Sequence, residues 1–165
     1  MGTLLKGFTN HLCRFIAFRN GSPWLEIIVI MLKEFNCEIY PRKLWVATSF
    51  EDVKDKFVCH KNDEKPIEKY EDGNAYTYQC VMHKKSKKYG TLILFVFEGE
   101  VLGSDIVKRI AHESLHAVNS IFNELGIEYD LSNDEHAAYM VGWVAKCCWK
   151  VLQNEIYKEN DESKD

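Results

Sequence analysis

The chain has 165 residues, of which 46% are hydrophobic and 28% charged, with a formal net charge of -4. Length and composition fit one globular domain that buries a core without disulfide staples, and they exclude a disordered or fibrous chain. The acidic balance argues against broad attraction to nucleic acid or an anionic membrane, so neither is expected as a partner.

Leu4, Leu5, Phe8, Leu12, Phe15 and Ile16 recur at helical spacing and predict an amphipathic helix ending near Asn20 and Gly21. Ser22 and Pro23 suit the cap and first turn of a second helix, whose apolar face is Trp24, Leu25, Ile28, Met31, Leu32 and Phe35. Lys6, Arg14 and Arg19 break up the first apolar stretch, and the run from Ile27 to Leu32 is far short of the ~20 residues that cross a bilayer. No signal peptide or anchor is expected. The cysteines Cys13, Cys37, Cys59, Cys80, Cys147 and Cys148 form no CxxC pair, which fits reduced, buried thiols and a cytoplasmic location.

Beyond Glu38, the stretches Ile39-Tyr40 and Leu44 to Thr48 are rich in β-branched and aromatic residues and predict extended structure. A short helix is expected over 51–57, then a charged surface loop over 60–74. Tyr76 to His83 and Thr91 to Phe97 predict an antiparallel hairpin, with the lysine-rich stretch Lys84 to Lys88 as a solvated tip to which no function is assigned. Two long helices follow, over 105–125 and 133–157, the first stopped by Gly126. The expected class is α+β: a small mixed or antiparallel sheet packed on these two helices, with N-terminal helices. Residues 1–158 form one domain in this reading, and 159–165 a disordered tail.

The first long helix contains His112-Glu113-Ser114-Leu115-His116, an HExxH pattern. Residues four apart share a helical face, so two imidazoles there can converge on one zinc ion. Glu113 is turned about 100° from His112 and flanks such an ion, where a general base for an activated water belongs. On the helical wheel, Val107, Ile110, Ala111, Leu115, Ala117, Val118, Ile121, Phe122 and Leu125 fill one broad arc expected to face the core. His112 and His116 fall outside it, in a polar row with Asn119 and Asn123. They are therefore not expected to be satisfied core histidines, and plain solvent-exposed side chains are the simpler alternative.

A catalytic zinc takes three protein ligands, and the start of the second helix offers Asp134, Glu135 and His136. Glu135 is the first choice, because it shares a face with Ala138, Gly142 and Ala145, whose small side chains would admit another helix closely. Two alternatives stay open: a capping box in which Ser132 and Glu135 satisfy backbone amides, and His136 as the third ligand. Tyr139, one turn beyond Glu135, and Asn119 are candidates to orient a ligand imidazole.

His112-Glu113-x-x-His116, followed eighteen residues later by Glu135, resembles the gluzincin class of HExxH zinc metallopeptidases. The stretches His112 to Val118 and Asp134 to Tyr139 are similar to thermolysin-type active and glutamate helices, and the likeness spans roughly residues 104–149. Small intracellular HExxH proteins of mobile genetic elements share the size. The resemblance implies a minimal zincin: one zinc held by His112, His116 and Glu135, Glu113 as general base, and a peptide or protein substrate paired to an edge strand, for which 91–97 is the candidate. The rival expectations are a non-catalytic binding or regulatory protein on a zincin scaffold that keeps a zinc site, and a structural zinc closed by His136 or a cysteine.

Overall fold

A computed structural model describes residues 32–60, 64–70, 73–97 and 102–161, with 154–161 described by backbone alone. The helices expected before residue 32 lie outside the described residues. Six strands come first: β1 (Leu32–Asn36), β2 (Lys43–Ala47), β3 (Phe57–Cys59), β4 (Lys65–Pro66), β5 (Ala75–His83) and β6 (Tyr89–Phe95). Two helices follow, α1 (Gly103–Leu125) and α2 (Glu135–Asp161). The strands form one sheet in the order β1-β2-β6-β5-β3-β4, in which β2 and β6 run parallel and the other neighbours antiparallel. The chain is thus α+β with a mixed sheet.

The central strands read as unbroken apolar runs because both of their faces are covered. Leu44, Val46, Ile93 and Phe95 face a core completed by the helices, through Ile110, Val118, Ile121, Met140, Val144 and Cys148. Trp45, Ala47, Leu92 and Leu94 face a second cluster, closed by Phe57 at the start of β3 and by Val53 and Ile67 from the turns and loop on that side. There Trp45 meets Phe57 edge-on with centroids 5.0 Å apart, and each such fully buried ring contributes about 1.5–3 kcal/mol from area alone.

The parallel pairing of β2 with β6 depends on Gly90. A Cβ there would lie 1.9 Å from the carbonyl oxygen of Lys43, so only glycine lets the two backbones approach this closely. The β5–β6 hairpin forms as expected, with a register break between Tyr78 and Val81 where Cys80 takes a positive φ of 50°. Gly126 ends α1 in the left-handed conformation, φ 67°, its amide directed back to the carbonyls of Asn123 and Phe122.

Several expectations are corrected. Leu32 to Asn36, assigned to the end of a helix, forms edge strand β1, because pairing with β2 and the bonds from Trp45 Nε1 (3.2 Å) and Lys88 Nζ (3.0 Å) to Glu34 outweigh local helical spacing. Residues 37–42, including Ile39 and Tyr40, make a bend between strands, and 51–56 turns instead of a helix. The helix α2 runs to Asp161, past the start of the expected tail, of which 162–165 lie outside the described residues. Finally, 91–97 is no edge: β6 is paired on both sides, so its main chain has no free row for a substrate, and the edges are β1 and β4. Among the described residues, no helix is long and apolar enough to cross a membrane.

Candidate functional site

The helix α1 lies against β5 and β6, and its own residues show how it is turned. Glu113 is 6% exposed, and its Oε2 accepts a 2.6 Å hydrogen bond from Thr77 Oγ1 on β5. Thr91 Oγ1 on β6 donates to Ser120 Oγ (3.2 Å), which donates to Glu124 Oε1 (3.1 Å). The Glu124 carboxylate is closed by Arg42 Nε at 3.1 Å. The sheet-facing side of α1 is therefore partly polar, and Glu113, Ser120 and Glu124 are each bonded there, as burial requires. Toward α2 it presents Ser114, beside the Cys148 thiol, and Phe122, on which His136 stacks at 5.0 Å.

His112 and His116 occupy the exposed side of the same helix. Their Nε2 atoms point at each other across 3.1 Å, with ring centroids 4.7 Å apart. Two imidazole nitrogens bound to one zinc at about 2.0–2.1 Å, with a near-tetrahedral angle between them, stand about 3.3 Å apart. The pair thus has the donor chemistry and nearly the spacing of two ligands to one ion.

The third donor is not beside them. Each histidine is two residues from Ser114, which at 3.6 residues per turn places it about 160° from the direction facing α2. Glu135 stands in the first turn of α2, exposed, in a groove of about 510 Å³ lined also by Ala138, Tyr139, Gly142, Trp143 and Lys146. The face of α2 in the core is instead Ala137, Met140, Val144 and Cys148, because larger apolar side chains bury more area than the small-residue stripe does. The close approach expected at Ala138, Gly142 and Ala145 is thus not made by α1. Among the described residues, no group of three or more His, Cys, Asp and Glu side chains is close enough to hold a metal ion.

The other candidates are placed as follows. His136 is hydrogen-bonded through Nε2 to the Tyr40 hydroxyl and stacked on Phe122, so it joins the 37–42 bend to the end of α1. Tyr139 is 75% exposed in the α2 groove, and Asn119 is exposed on α1 in the histidine row. Ser132 does not take part in a capping box with Glu135: its hydroxyl and amide both donate to Asp130 Oδ1, at 2.7 and 2.8 Å, and hold that carboxyl below its ordinary range. The wheel had also placed Val107, Ala111 and Leu115 in the core, yet all are exposed, while Glu113, Ser114 and Ser120 are buried.

Sequence reasoning did not find Thr77 or the chain from Thr91 through Ser120 and Glu124 to Arg42. A threonine between Tyr76 and Tyr78 in a strand carries no local signal. Its partner comes from a helix thirty-six residues away and exists only once α1 is laid against the sheet.

No family model, curated protein or solved structure matches this chain, so the candidate site is defined by its own geometry.

Proposed function

We propose that the chain is a zinc-dependent peptidase that hydrolyses peptide bonds, with His112 and His116 as metal ligands and Glu113 as general base. The observation that carries this reading is the convergence of the two Nε2 atoms to 3.1 Å on an exposed helical face, with the glutamate of the HExxH pattern between them in the chain. A zinc ion held there supplies Lewis-acid polarisation of a carbonyl and a water acidified toward neutral pH.

In this mechanism Glu113 takes the proton of the attacking water and returns it to the leaving amine. Thr77 holds one carboxylate oxygen and so fixes the direction in which the base points. Glu135 is the proposed third ligand on its spacing from His116 and its place at the start of α2, where the helix dipole favours a carboxylate. It stands apart from the pair in this structure, on the outer face of α2.

The test is zinc content per chain by elemental analysis for the parent, His112→Ala, His116→Ala and Glu135→Ala, together with hydrolysis of an unfolded protein substrate by the parent and Glu113→Gln. We expect about one zinc in the parent, loss of zinc in each ligand variant, and loss of hydrolysis with zinc retained in Glu113→Gln. Zinc unchanged in both histidine variants overturns the metal centre, and zinc kept in Glu135→Ala removes that ligand alone.

One observation favours a second reading. Glu113 is buried and bonded to the sheet, as a structural side chain would be, which suits a binding or regulatory protein that keeps the histidine pair without catalysis. A zinc-loaded parent with no hydrolytic activity selects that reading.

A further inference from the structure

Two apolar surfaces stand out, one uncovered among the described residues and one read from the sequence alone. The first is the side of the helix layer turned away from the sheet. Leu115 is about 160° around α1 from Glu113, which faces β5, and it is 46% exposed, with Val107 at 57% in the same stripe. On α2, the groove over Ala138, Tyr139, Gly142 and Trp143 is open, and a Cβ added to Gly142 would meet no atom within 4 Å. Val107, Ala111 and Leu115 belong to the continuous apolar arc of α1, which is wider than the area that the sheet and α2 cover.

The second surface is in the sequence before residue 32. There Leu5, Phe8, Leu12 and Phe15 repeat at intervals of three and four, the pattern of a helix with one apolar face. The described chain begins at Leu32, in edge strand β1, whose Phe35 packs against the helix-side core and whose Lys33 neighbours Cys147 of α2. Thirty-one residues precede that strand, which lies beside α2, and the first expected helix, 4–20, spans ~25 Å at 1.5 Å per residue, long enough to cover the groove.

We propose that the N-terminal segment docks as a third layer on the outer face of the helix pair, laying the Leu5, Phe8, Leu12 and Phe15 face into the Ala138 to Trp143 groove. The glycine and alanine of the groove let a helix approach closely, and the flanking Tyr139 and Trp143 supply the apolar walls. Glu135 at one end of the groove offers a carboxylate to the basic side chains of the segment, Lys6 and Arg14. The proposal is independent of His112 and His116, which lie on another side of α1, but it shares Glu135, so a Glu135 engaged by the segment is not the third zinc ligand.

The experiment uses the full chain with p-benzoylphenylalanine in place of Tyr139, irradiated and mapped by mass spectrometry. The expected result is an intramolecular cross-link to residues 4–16. Cross-links to a second copy, to residues after 31, or none at all overturn the proposal. A second measurement needs no photoreactive residue: hydrogen exchange of the Ala138 to Lys146 amides in the parent and in Phe8→Asp/Leu12→Asp. Docking predicts at least about tenfold faster exchange in that stretch of the double variant with the sheet amides unchanged, and equal rates overturn it.

Discussion

The contact between Thr77 and Glu113 is the point at which the buried side of α1 and the proposed chemistry meet, and its strength can be measured by Thr77→Val. Valine keeps the shape of threonine and its strand preference but removes the hydroxyl that donates across 2.6 Å to a carboxylate only 6% exposed. Leaving a buried acceptor without its donor costs about 1–3 kcal/mol. For a chain of this size, each kcal/mol moves the melting temperature by about 2–4 °C, so the expected loss is about 2–12 °C. Thr77→Ser retains the donor and should stay near the parent. In a Glu113→Gln background the amide oxygen is a weaker, uncharged acceptor, so Thr77→Val should cost less there, with a coupling of about 1 kcal/mol in the double-mutant cycle. The assay is urea denaturation followed by circular dichroism for the four members of the cycle. Thr77→Val within about 0.5 kcal/mol of the parent, or full additivity with Glu113→Gln, would refute the claim that this bond holds the helix and its glutamate in place.

Three further outcomes follow from the structure. Gly90→Ala forces a Cβ against the Lys43 carbonyl and should cost at the upper end of about 1–3 kcal/mol by denaturation, whereas a neutral effect would contradict the close β2–β6 pairing. Burial raises the thiols of Cys147, to about 11, and of Cys148, further still, so iodoacetamide at about pH 8 should leave both unmodified in the native protein and label both after denaturation. Burial against Trp45 and Phe57 lowers His83 below its ordinary value. The unfolded chain then binds the proton more readily than the folded one, so this group's contribution to stability is present above about pH 6.5 and is lost as pH falls below that value through the lower one of the folded imidazole. His83→Gln should flatten that part of the pH-stability curve, and a curve of unchanged slope would count against the buried neutral imidazole.

Much of the fold was legible from local pattern. The hairpin and β2 follow from runs rich in β-branched and aromatic residues, both long helices follow from period-3.6 apolar spacing, and Gly126 marks the end of α1 because a left-handed residue is needed there. The histidine pair was legible for the same reason: four residues on a helix place two side chains together whatever lies around them. What failed was each inference that needed a non-local partner. Leu32 to Asn36 has helical spacing but gains more from pairing with Lys43 to Ala47. The wheel of α1 ranked residues by polarity and so put Leu115 inside and Glu113 outside. The structure reverses them, because Thr77 satisfies the carboxylate and nothing among the described residues covers the leucine.

The sequence by itself determined β2, the β5–β6 hairpin, the two long helices, the α+β class and the meeting of His112 with His116, features signalled by patterns within short stretches. Tertiary structure alone decided which side of each helix is covered. It turned Glu113 to the sheet, set β6 in the middle of that sheet, and left Glu135 on the outer face of α2. These outcomes depend on which surfaces compete for burial across the whole chain, and no short stretch of sequence carries that comparison.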